Sequence, residues 1–364
     1  MKVMTPHYYK DFRCIAGACT DTCCAGWDVD VDKDSYKYYK TVKGAFGKRL
    51  KSVMVPSQDG ECTFTLKEGG RCPFLNDDNL CDLYIELGED KLCETCAEFP
   101  RFINDYGNIR EIGIAPSCKT AGELMFSYKD ELTFDTVEDN SLTPEPNDID
   151  AYTYMHLRQA RIVAFGIISD RDISIFERLM LYLDYAKRIQ KHLDAERDEL
   201  IAGVAKRFCG ADYREELLDR LKSRDEKLHG KRLIKGLRHF FDDFKGMEVI
   251  NPDWNIHVAR VRQFLDGLAD DSGLAAVMKT YHAGSEAFAH EYEQLAMYYV
   301  YRYMLDAVND YDVLLKAKNA VIGILAVDIM AAANHASVCT PDFTMRVDIC
   351  LLYTSPSPRD LSTS

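Results

Sequence analysis

The chain has 364 residues, of which 47% are hydrophobic, and it carries a formal net charge of −14 at pH 7. This length predicts two domains with enough apolar content to bury their cores. The net negative charge argues against nucleic acid as a partner, because a phosphate backbone requires a basic face, and it also disfavours an anionic membrane surface. The most apolar stretch, Asn319 to Asn334, is shorter than a bilayer span and contains Asp328, so we expect a buried helix there.

The N-terminal residues bear on the compartment. Met1 to Phe12 contains no apolar run that could serve as the core of a signal peptide. Thiols stay reduced in a cytoplasmic protein, where clustered cysteines usually bind metal or carry out redox chemistry. We therefore predict a cytoplasmic protein with a metal site, and a disulfide framework is the alternative.

Residues 1–132 are predicted to form a loop-rich cysteine and metal domain. Asp32–Lys43 and Asp82–Glu98 have helical character, and Lys51–Val55 and Cys62–Leu66 are predicted to pair as a small hairpin. Few of these segments have a long apolar face of their own. We therefore expect a bound metal to organise the domain.

An acidic linker is predicted over residues 133–150, which contain six acidic residues, two prolines and no basic residue. In residues 151–349, apolar positions recur at steps of three and four, which predicts an α-helical domain built as a bundle or array. The fold class is therefore mainly α. The predicted helices are Tyr152–Ile168, Ile173–Arg207, Arg214–Lys222, Leu233–Phe244, Ile256–Leu268, His290–Val308 and Val313–Asn334.

Residues 350–364 are predicted to be a non-native tail. The sequence LLYTSPSPRD, at Leu351–Asp360, resembles the translation of a sequencing adaptor. A flexible Ser/Pro tail would have the same physical character. We assign this segment no function and expect the natural C-terminus to be absent.

Ten of the thirteen cysteines lie within the first 118 residues. Cys93 and Cys96 have the CxxC spacing that closes around one metal atom or cluster. A structural zinc site commonly uses two such pairs, and this region contains one. The irregular spacing of the other cysteines favours a 4Fe–4S cluster, with zinc as the alternative.

Four segments carry motifs that extend beyond the cysteines. They are CIAGACTDTCCAGWDVDVDK from Cys14, CPFLNDDNLCDLYIELGEDKLCETCAEFPRF from Cys72, SCKTAGELM from Ser117, and HEYEQLAMYYVYRYML from His290. These segments resemble the flagellin lysine-N-methylase family, which is related to the CxxCxxCC cysteine-cluster proteins.

The resemblance implies a cytoplasmic enzyme that transfers methyl groups from S-adenosylmethionine to surface lysines of flagellin and that carries an iron–sulfur cluster. Cys62 lies outside the matching motifs. The cysteines implied as metal ligands are Cys14, Cys19, Cys23, Cys24, Cys72, Cys81, Cys93, Cys96 and Cys118.

Methyl transfer to lysine requires a neutral amine, although the ordinary pKa of lysine is about 10.4. The site must therefore desolvate the amine or provide a base. Glu293, at a position that matches the family, is the predicted catalytic residue. Arg101 is predicted to pair with a carboxylate of the cofactor, and a salt bridge within the protein is the alternative. No glycine-rich G-x-G turn is present, so a Rossmann-type methyltransferase domain is not expected.

Two functions of a different kind remain open from the sequence. The cysteines could staple a non-catalytic adaptor around zinc, or they could hold an iron–sulfur cluster for electron transfer. The histidines are scattered without metal-ligand spacing, and no role is predicted for them.

Overall fold

The computed structural model describes residues 1–56, 62–144, 147–228, 232–243, 251 and 253–354. Two regions differ in character: the N-terminal part mixes strands, loops and short helices, and the remainder is helical. The predicted mainly α fold class, with a loop-rich cysteine region followed by helices, is confirmed. Within the described ranges, no helix combines the length and the apolar character needed to cross a membrane.

The N-terminal part contains a four-stranded sheet that was not predicted. Its strands are β1 (Lys2–Pro6), β5 (Arg101–Tyr106), β6 (Ile109–Ile114) and β7 (Phe134–Glu138), in the order β5-β6-β1-β7. β1 runs parallel to β6 and antiparallel to β7, and β5 and β6 form a hairpin. Gly107, with φ of 62°, permits the tight turn of that hairpin.

The predicted linker over residues 133–150 is wrong for Phe134–Glu138, which form β7. This strand pairs with β1 along its whole length, from Lys2 opposite Glu138 to Pro6 opposite Phe134. Its acidic residues face solvent at the edge of the sheet, whereas the Phe134 ring packs 4.7 Å from the ring of Tyr301. The acidic composition of an exposed edge strand thus resembled that of a linker.

The cysteine region between β1 and β5 has its own small core. A second sheet has the order β2-β4-β3 and is formed by β2 (Asp30–Val31), β3 (Met54–Pro56) and β4 (Cys62–Phe64). The helices of this region are α1 (Lys33–Thr41), α2 (Gly44–Val53), α3 (Asp82–Leu87) and α4 (Glu94–Glu98). Tyr39, Leu50, Phe64 and Phe74 are buried together here, so apolar packing contributes to the order of this region.

The local predictions for this region are correct in part. The helix expected over Asp32–Lys43 is α1, and the expected hairpin forms between β3 and β4. Residues 51–53 belong to α2 rather than to the hairpin. The helix expected over Asp82–Glu98 is broken at Gly88, where φ is 92°, and continues as α4.

The helical region is larger than predicted because it includes a helix from the N-terminal part and two helices that were not predicted, over Asp271–Ser285 and Phe343–Thr354. Its helices are α5 (Lys119–Ser127), α6 (Ala151–Ile168), α7 (Ile175–Leu193), α8 (Ile201–Phe208), α9 (Ala211–Leu228), α10 (Arg232–Asp243), α11 (Asp253–Asp266), α12 (Asp271–Ser285), α13 (Ala289–Tyr303), α14 (Ala307–Asp310), α15 (Val313–Ser337) and α16 (Phe343–Thr354). Phe244, the last residue of one predicted helix, lies outside the described residues.

Two helical predictions differ from the structure for identifiable reasons. The helix predicted over Ile173–Arg207 is two helices, because Glu196 has φ of 52° and the Arg197 N–H turns back to the His192 carbonyl at 2.9 Å. The capping box of Ser174 and Glu177 starts the first of them. α12 was not predicted because its small residues give it little apolar periodicity.

The four-stranded sheet, α5 and the later helices share one apolar core. Tyr8, Phe102, Ile114 and Met125 are buried in the same cluster as the helices after residue 151. The predicted boundary at residue 132 therefore does not separate two cores. Cys350 and Leu351, at the start of the predicted tail, are buried in or beside α16, and residues 355–364 lie outside the described residues. That residues 350–364 are non-native stays a prediction.

Candidate metal and cofactor site

All thirteen cysteines are free thiols. Nine of the N-terminal ten form two adjoining groups, which meet where the Cys23 thiol contacts the Cys24 thiol. The first thiol group is Cys14, Cys19, Cys23 and Cys118. Burial, followed by the charges of Cys19 and Cys14, raises the pKa of Cys118 to about 11. The charges of Cys118 and Cys14 also raise the pKa of Cys23, after a hydrogen bond to the Cys24 thiol and burial. The fold thus brings Cys118, at the start of α5, next to the loop of residues 14–23.

The second thiol group is Cys24, Cys72, Cys81, Cys93 and Cys96. The Cys72 N–H donates to the Cys24 carbonyl at 2.8 Å, which fixes these two residues side by side. The Cys93 thiol lies within hydrogen-bonding distance of the Cys96 thiol, and this contact lowers the pKa of Cys93. The same contact, burial and the charges of Cys93, Cys24 and Cys72 raise the pKa of Cys96. The CxxC pair therefore lies near Cys24 and Cys72.

Cys62 is separate from both groups. It lies in β4, is buried in the core of the cysteine region, and has a pKa raised to about 11 by burial and the charge of Cys93. Its environment is that of a packing residue.

The thiols are grouped without forming a finished metal cage. Within the described ranges, no three His, Cys, Asp or Glu side chains stand close enough together to hold a metal ion. The first group has the four thiols that an iron–sulfur cluster requires, and the second group has five, one more than that number. The assignment of these cysteines as ligands stays a prediction.

The first thiol group lies against the helical region. Lys119, next to Cys118, pairs with Asp348 of α16 at 3.0 Å. Asn251, two residues before α11, donates to Asp21 at 3.4 Å, and Asp21 lies between Cys19 and Cys23. Burial and then the charge of Asp348 raise the pKa of Asp21. The loop that carries three thiols thus contacts the segment just before α11, and α5, which follows Cys118, is tied to α16.

A groove of about 980 Å³ lies between α11, α12 and the C-terminal end of α15. Its lining is mostly apolar, with one charged residue, Arg260. The lining residues are Asn255, Ile256, Ala259, Arg260, Gln263, Phe264, Gly267, Leu268, Val277, Ala336, Ser337 and Val338. A groove of this size falls in the range that small ligands and cofactors occupy.

Arg260 is held at the groove by Asn334. An Nη1 hydrogen of Arg260 is donated to Oδ1 of Asn334, a residue that is buried in α15. The Nδ2 of Asn334 donates to the Met330 carbonyl at 2.8 Å and lies 3.4 Å from Nδ1 of His257. Burial and the charge of Arg260 lower the pKa of His257, so its imidazole is neutral at pH 7.

A second polar cluster lies further along α12 and α15. Nε2 of His282 lies 3.0 and 3.1 Å from the two carboxylate oxygens of Asp328. Tyr292 donates to Asp328 at 3.0 Å, and the Tyr281 hydroxyl lies 3.1 Å from that of Tyr292. Burial raises the pKa of Tyr292 well above its usual range and that of Tyr281 to about 12, so both remain neutral.

His282 is accessible, although its partner is not. The side chain of His282 is 32% exposed and that of Asp328 is 2% exposed. The ring of Phe176 stacks on the imidazole at 4.8 Å. Since Nε2 is directed at a carboxylate, it carries the proton, and Nδ1 is the nitrogen with a free lone pair.

The predicted catalytic residue, Glu293, lies in a buried ion cluster. Its carboxylate accepts hydrogen bonds from Arg178 Nη1 at 2.6 Å and from Arg171 Nη2 at 2.8 Å and Nε at 3.0 Å. These guanidinium groups occupy the oxygens that a base would offer to a substrate. A catalytic role for Glu293 stays a prediction.

The predicted cofactor-binding residue, Arg101, lies at the start of β5. Its Nε donates to the Tyr9 hydroxyl at 3.1 Å, and its guanidinium lies 5.4 Å from the centre of the Phe12 ring. The structure therefore brings the grouped thiols together. Neither Glu293 nor Arg101 lines the groove between α11, α12 and α15.

Arg260, Asn334 and His282 are not among the site residues predicted from the sequence. Polar residues inside an apolar helix are a usable signal, because burying them requires partners. Asp328 and Asn334 both interrupt the apolar run of α15. Asp328 is the hydrogen-bond partner of His282, and Asn334 is that of Arg260.

Most of the helical region is similar to a known protein family. The model of the FliB lysine N-methylase C-terminal domain matches residues 161–354. The groove and the His282 cluster both lie within this range, whereas the N-terminal cysteines lie outside it. No solved structure matches the chain.

Three curated relatives are similar over 121 residues, or 32% of this chain. The flagellar biosynthetic protein FliU of Salmonella muenchen is 30% identical, and the match covers 72% of its length. The lysine-N-methylases of Salmonella choleraesuis and Salmonella typhimurium are each 29% identical, and the match covers 30% of their length. Because the family model spans more than half of the chain and confirms the resemblance seen in the sequence, this protein belongs to the FliB lysine N-methylase C-terminal domain family.

Proposed function

We propose that this protein is a protein-lysine N-methyltransferase that uses S-adenosylmethionine, acts on flagellin in the cytoplasm and carries an iron–sulfur cluster. The observation that carries the proposal is the family match over residues 161–354, together with relatives named lysine-N-methylase and flagellar biosynthetic protein. The grouped thiols next to the matched helices support the cluster.

The cysteines that would hold the cluster are those of the first thiol group, Cys14, Cys19, Cys23 and Cys118. These thiols come from two separate segments and lie against α11 and α16, so a cluster there would tie the cysteine region to the helices. The second thiol group, in the interior of the cysteine region, would bind a second metal through the Cys93–Cys96 pair and stabilise that region.

The reaction requires a proton acceptor, and the His282 cluster meets this requirement. When bound, S-adenosylmethionine supplies an electrophilic methyl group on its sulfonium. Nδ1 of His282 would take one proton from the lysine ammonium, and the buried Asp328 carboxylate would stabilise the imidazolium that forms. Tyr292 and Tyr281 hold that carboxylate in place. The neutral amine would then be able to accept a methyl group, which the cofactor would supply from its sulfonium, leaving a neutral thioether.

The proposal is tested by incubating anaerobically purified protein with flagellin and methyl-labelled S-adenosylmethionine. We expect label on flagellin lysines, located by peptide mass spectrometry, and no transfer to flagellin with acetylated lysines. Iron and acid-labile sulfide are measured on the same preparation. Absence of label on lysine would contradict the methyltransferase function, and stoichiometric zinc without sulfide would contradict the iron–sulfur cluster.

A further inference from the structure

The groove between α11, α12 and α15 combines an apolar lining with one cation. Ile256 and Ala259 of α11 and Leu268, two residues after it, face Val277 of α12 and Val338 beyond α15, and Phe264 lies buried at the groove. Ile256 and Val338 are 55% and 64% exposed, so the groove leaves large apolar side chains in contact with water. Covering them with an apolar ligand would be favourable.

Arg260 gives the groove its charge. Its guanidinium bonds to the neutral amide of Asn334, and among the residues that the structure describes no carboxylate pairs with it. A guanidinium that is positioned by a buried amide and lacks a carboxylate partner is suited to bind an anionic ligand group, above all a carboxylate.

We propose that this groove binds S-adenosylmethionine, with Arg260 holding the carboxylate and the apolar walls covering the adenosyl group. This inference rests on the proposed function and assigns the cofactor to particular residues. Asn255, Gln263 and Ser337 line the same groove and supply hydrogen-bonding groups for the ribose and adenine. Its volume of about 980 Å³ accommodates a ligand of this size.

The surroundings of the groove suit the rest of the ligand. Asp253, at the start of α11 two turns before Arg260, adds a negative charge to this end of the groove, which favours the positive ammonium and sulfonium of the cofactor. On the other side, Val277 lines the groove one turn before Tyr281, which neighbours His282. The groove therefore lies on the same helix as the proposed proton acceptor.

The test is equilibrium binding of S-adenosylmethionine to the purified holoprotein by isothermal titration calorimetry, which requires no turnover. Arg260→Ala removes the cation, and Ala259→Trp fills the groove from an exposed position. Each is expected to raise the Kd by about tenfold or more, and Arg260→Lys by less. Matched controls are Arg262→Ala, which removes an arginine of the same helix paired with Asp242, and Ala275→Trp on the exposed part of α12 outside the groove. Both controls are expected to bind as the wild type does.

The outcomes separate this inference from the function on which it rests. Wild-type binding with unchanged Kd in Arg260→Ala and Ala259→Trp, each folded by thermal melting, would overturn the groove and leave the methyltransferase function standing. Binding that disappears on cluster oxidation but is insensitive to Arg260→Ala would place the cofactor on the cluster and also overturn the groove. A wild-type protein that binds no S-adenosylmethionine would overturn both.

Discussion

Arg161 of α6 and Glu111 of β6 form a buried, two-pronged ion pair. One guanidinium nitrogen of Arg161 donates to Glu111 Oε2 at 2.7 Å and the other donates to Oε1, and the side chains are 3% and 1% exposed. The same guanidinium donates to the Tyr301 carbonyl of α13 at 3.0 Å. The pair therefore connects the four-stranded sheet to two helices of the family-matched region.

Glu111→Gln should destabilise the protein by about 3–5 kcal/mol, because it leaves the Arg161 charge buried without its carboxylate. Asp105→Asn is the control, since its pair with Arg110 is partly exposed and should contribute about 1 kcal/mol or less. Urea denaturation gives both free energies of unfolding. Equal effects of the two variants would show that the Arg161 pair does not hold the sheet to the helices.

Of the two parts that the Arg161–Glu111 pair joins, the helices could be predicted from the sequence and the four-stranded sheet could not. The long helices could be predicted because their apolar residues recur at helical steps, as in Val313–Ser337. The four-stranded sheet could not, because its parallel pair joins residues more than a hundred positions apart, from Lys2 to Ile109. The acidic composition of Phe134–Glu138 predicts a linker, because an exposed edge strand with acidic residues has no distinctive local pattern.

The site could be predicted in part. Cysteine spacing predicts a metal-binding region, and the structure adds the division of the thiols into two groups, which depends on how Cys118 meets the loop of Cys14–Cys23. Motif position alone selected Glu293, and its two arginine partners are far away in sequence. A buried carboxylate between two guanidinium groups has the same local sequence as a catalytic one.

Glu293→Gln separates the two roles of this residue. If it is a structural ion, the variant leaves the buried charge of Arg178 without its carboxylate and loses about 3–5 kcal/mol of unfolding free energy. Arg171→Ala should have a smaller effect, since Arg171 is 45% exposed. A variant of full stability without methyl transfer would instead support the catalytic role predicted from the sequence.

Metal content should depend on the grouped cysteines and not on the isolated ones. Cys93→Ser and Cys96→Ser should lower the metal content and destabilise the cysteine region, because both thiols belong to the second group. Cys209→Ser and Cys339→Ser are the controls, since both residues are exposed. Metal is measured by elemental analysis and folding by thermal melting. Full metal content in both CxxC variants would remove this pair from the ligands.

Stability should fall at mildly acidic pH through His257. Its pKa is lowered in the folded protein by burial and the charge of Arg260. The unfolded chain therefore binds a proton more readily, and stability is lost as the pH falls below the ordinary histidine value of about 6.5. His257→Gln should reduce the loss of unfolding free energy between about pH 7 and 5 relative to the wild type. An unchanged pH dependence would show that His257 does not contribute.

His282→Ala should lower the rate of methyl transfer by about 100-fold, the usual contribution of a general base. Added imidazole should restore part of this rate, a response that a purely structural histidine would not show. Asp328→Asn should also lower the rate, because the imidazolium then lacks its carboxylate, and Asp328→Glu should recover some of it. His239→Gln, at an exposed position on α10, should be without effect. His282→Ala leaves the surrounding groups in place, namely Asp328, Tyr292, Tyr281 and Phe176. Full activity of that variant would therefore show that the proton of lysine leaves by another route.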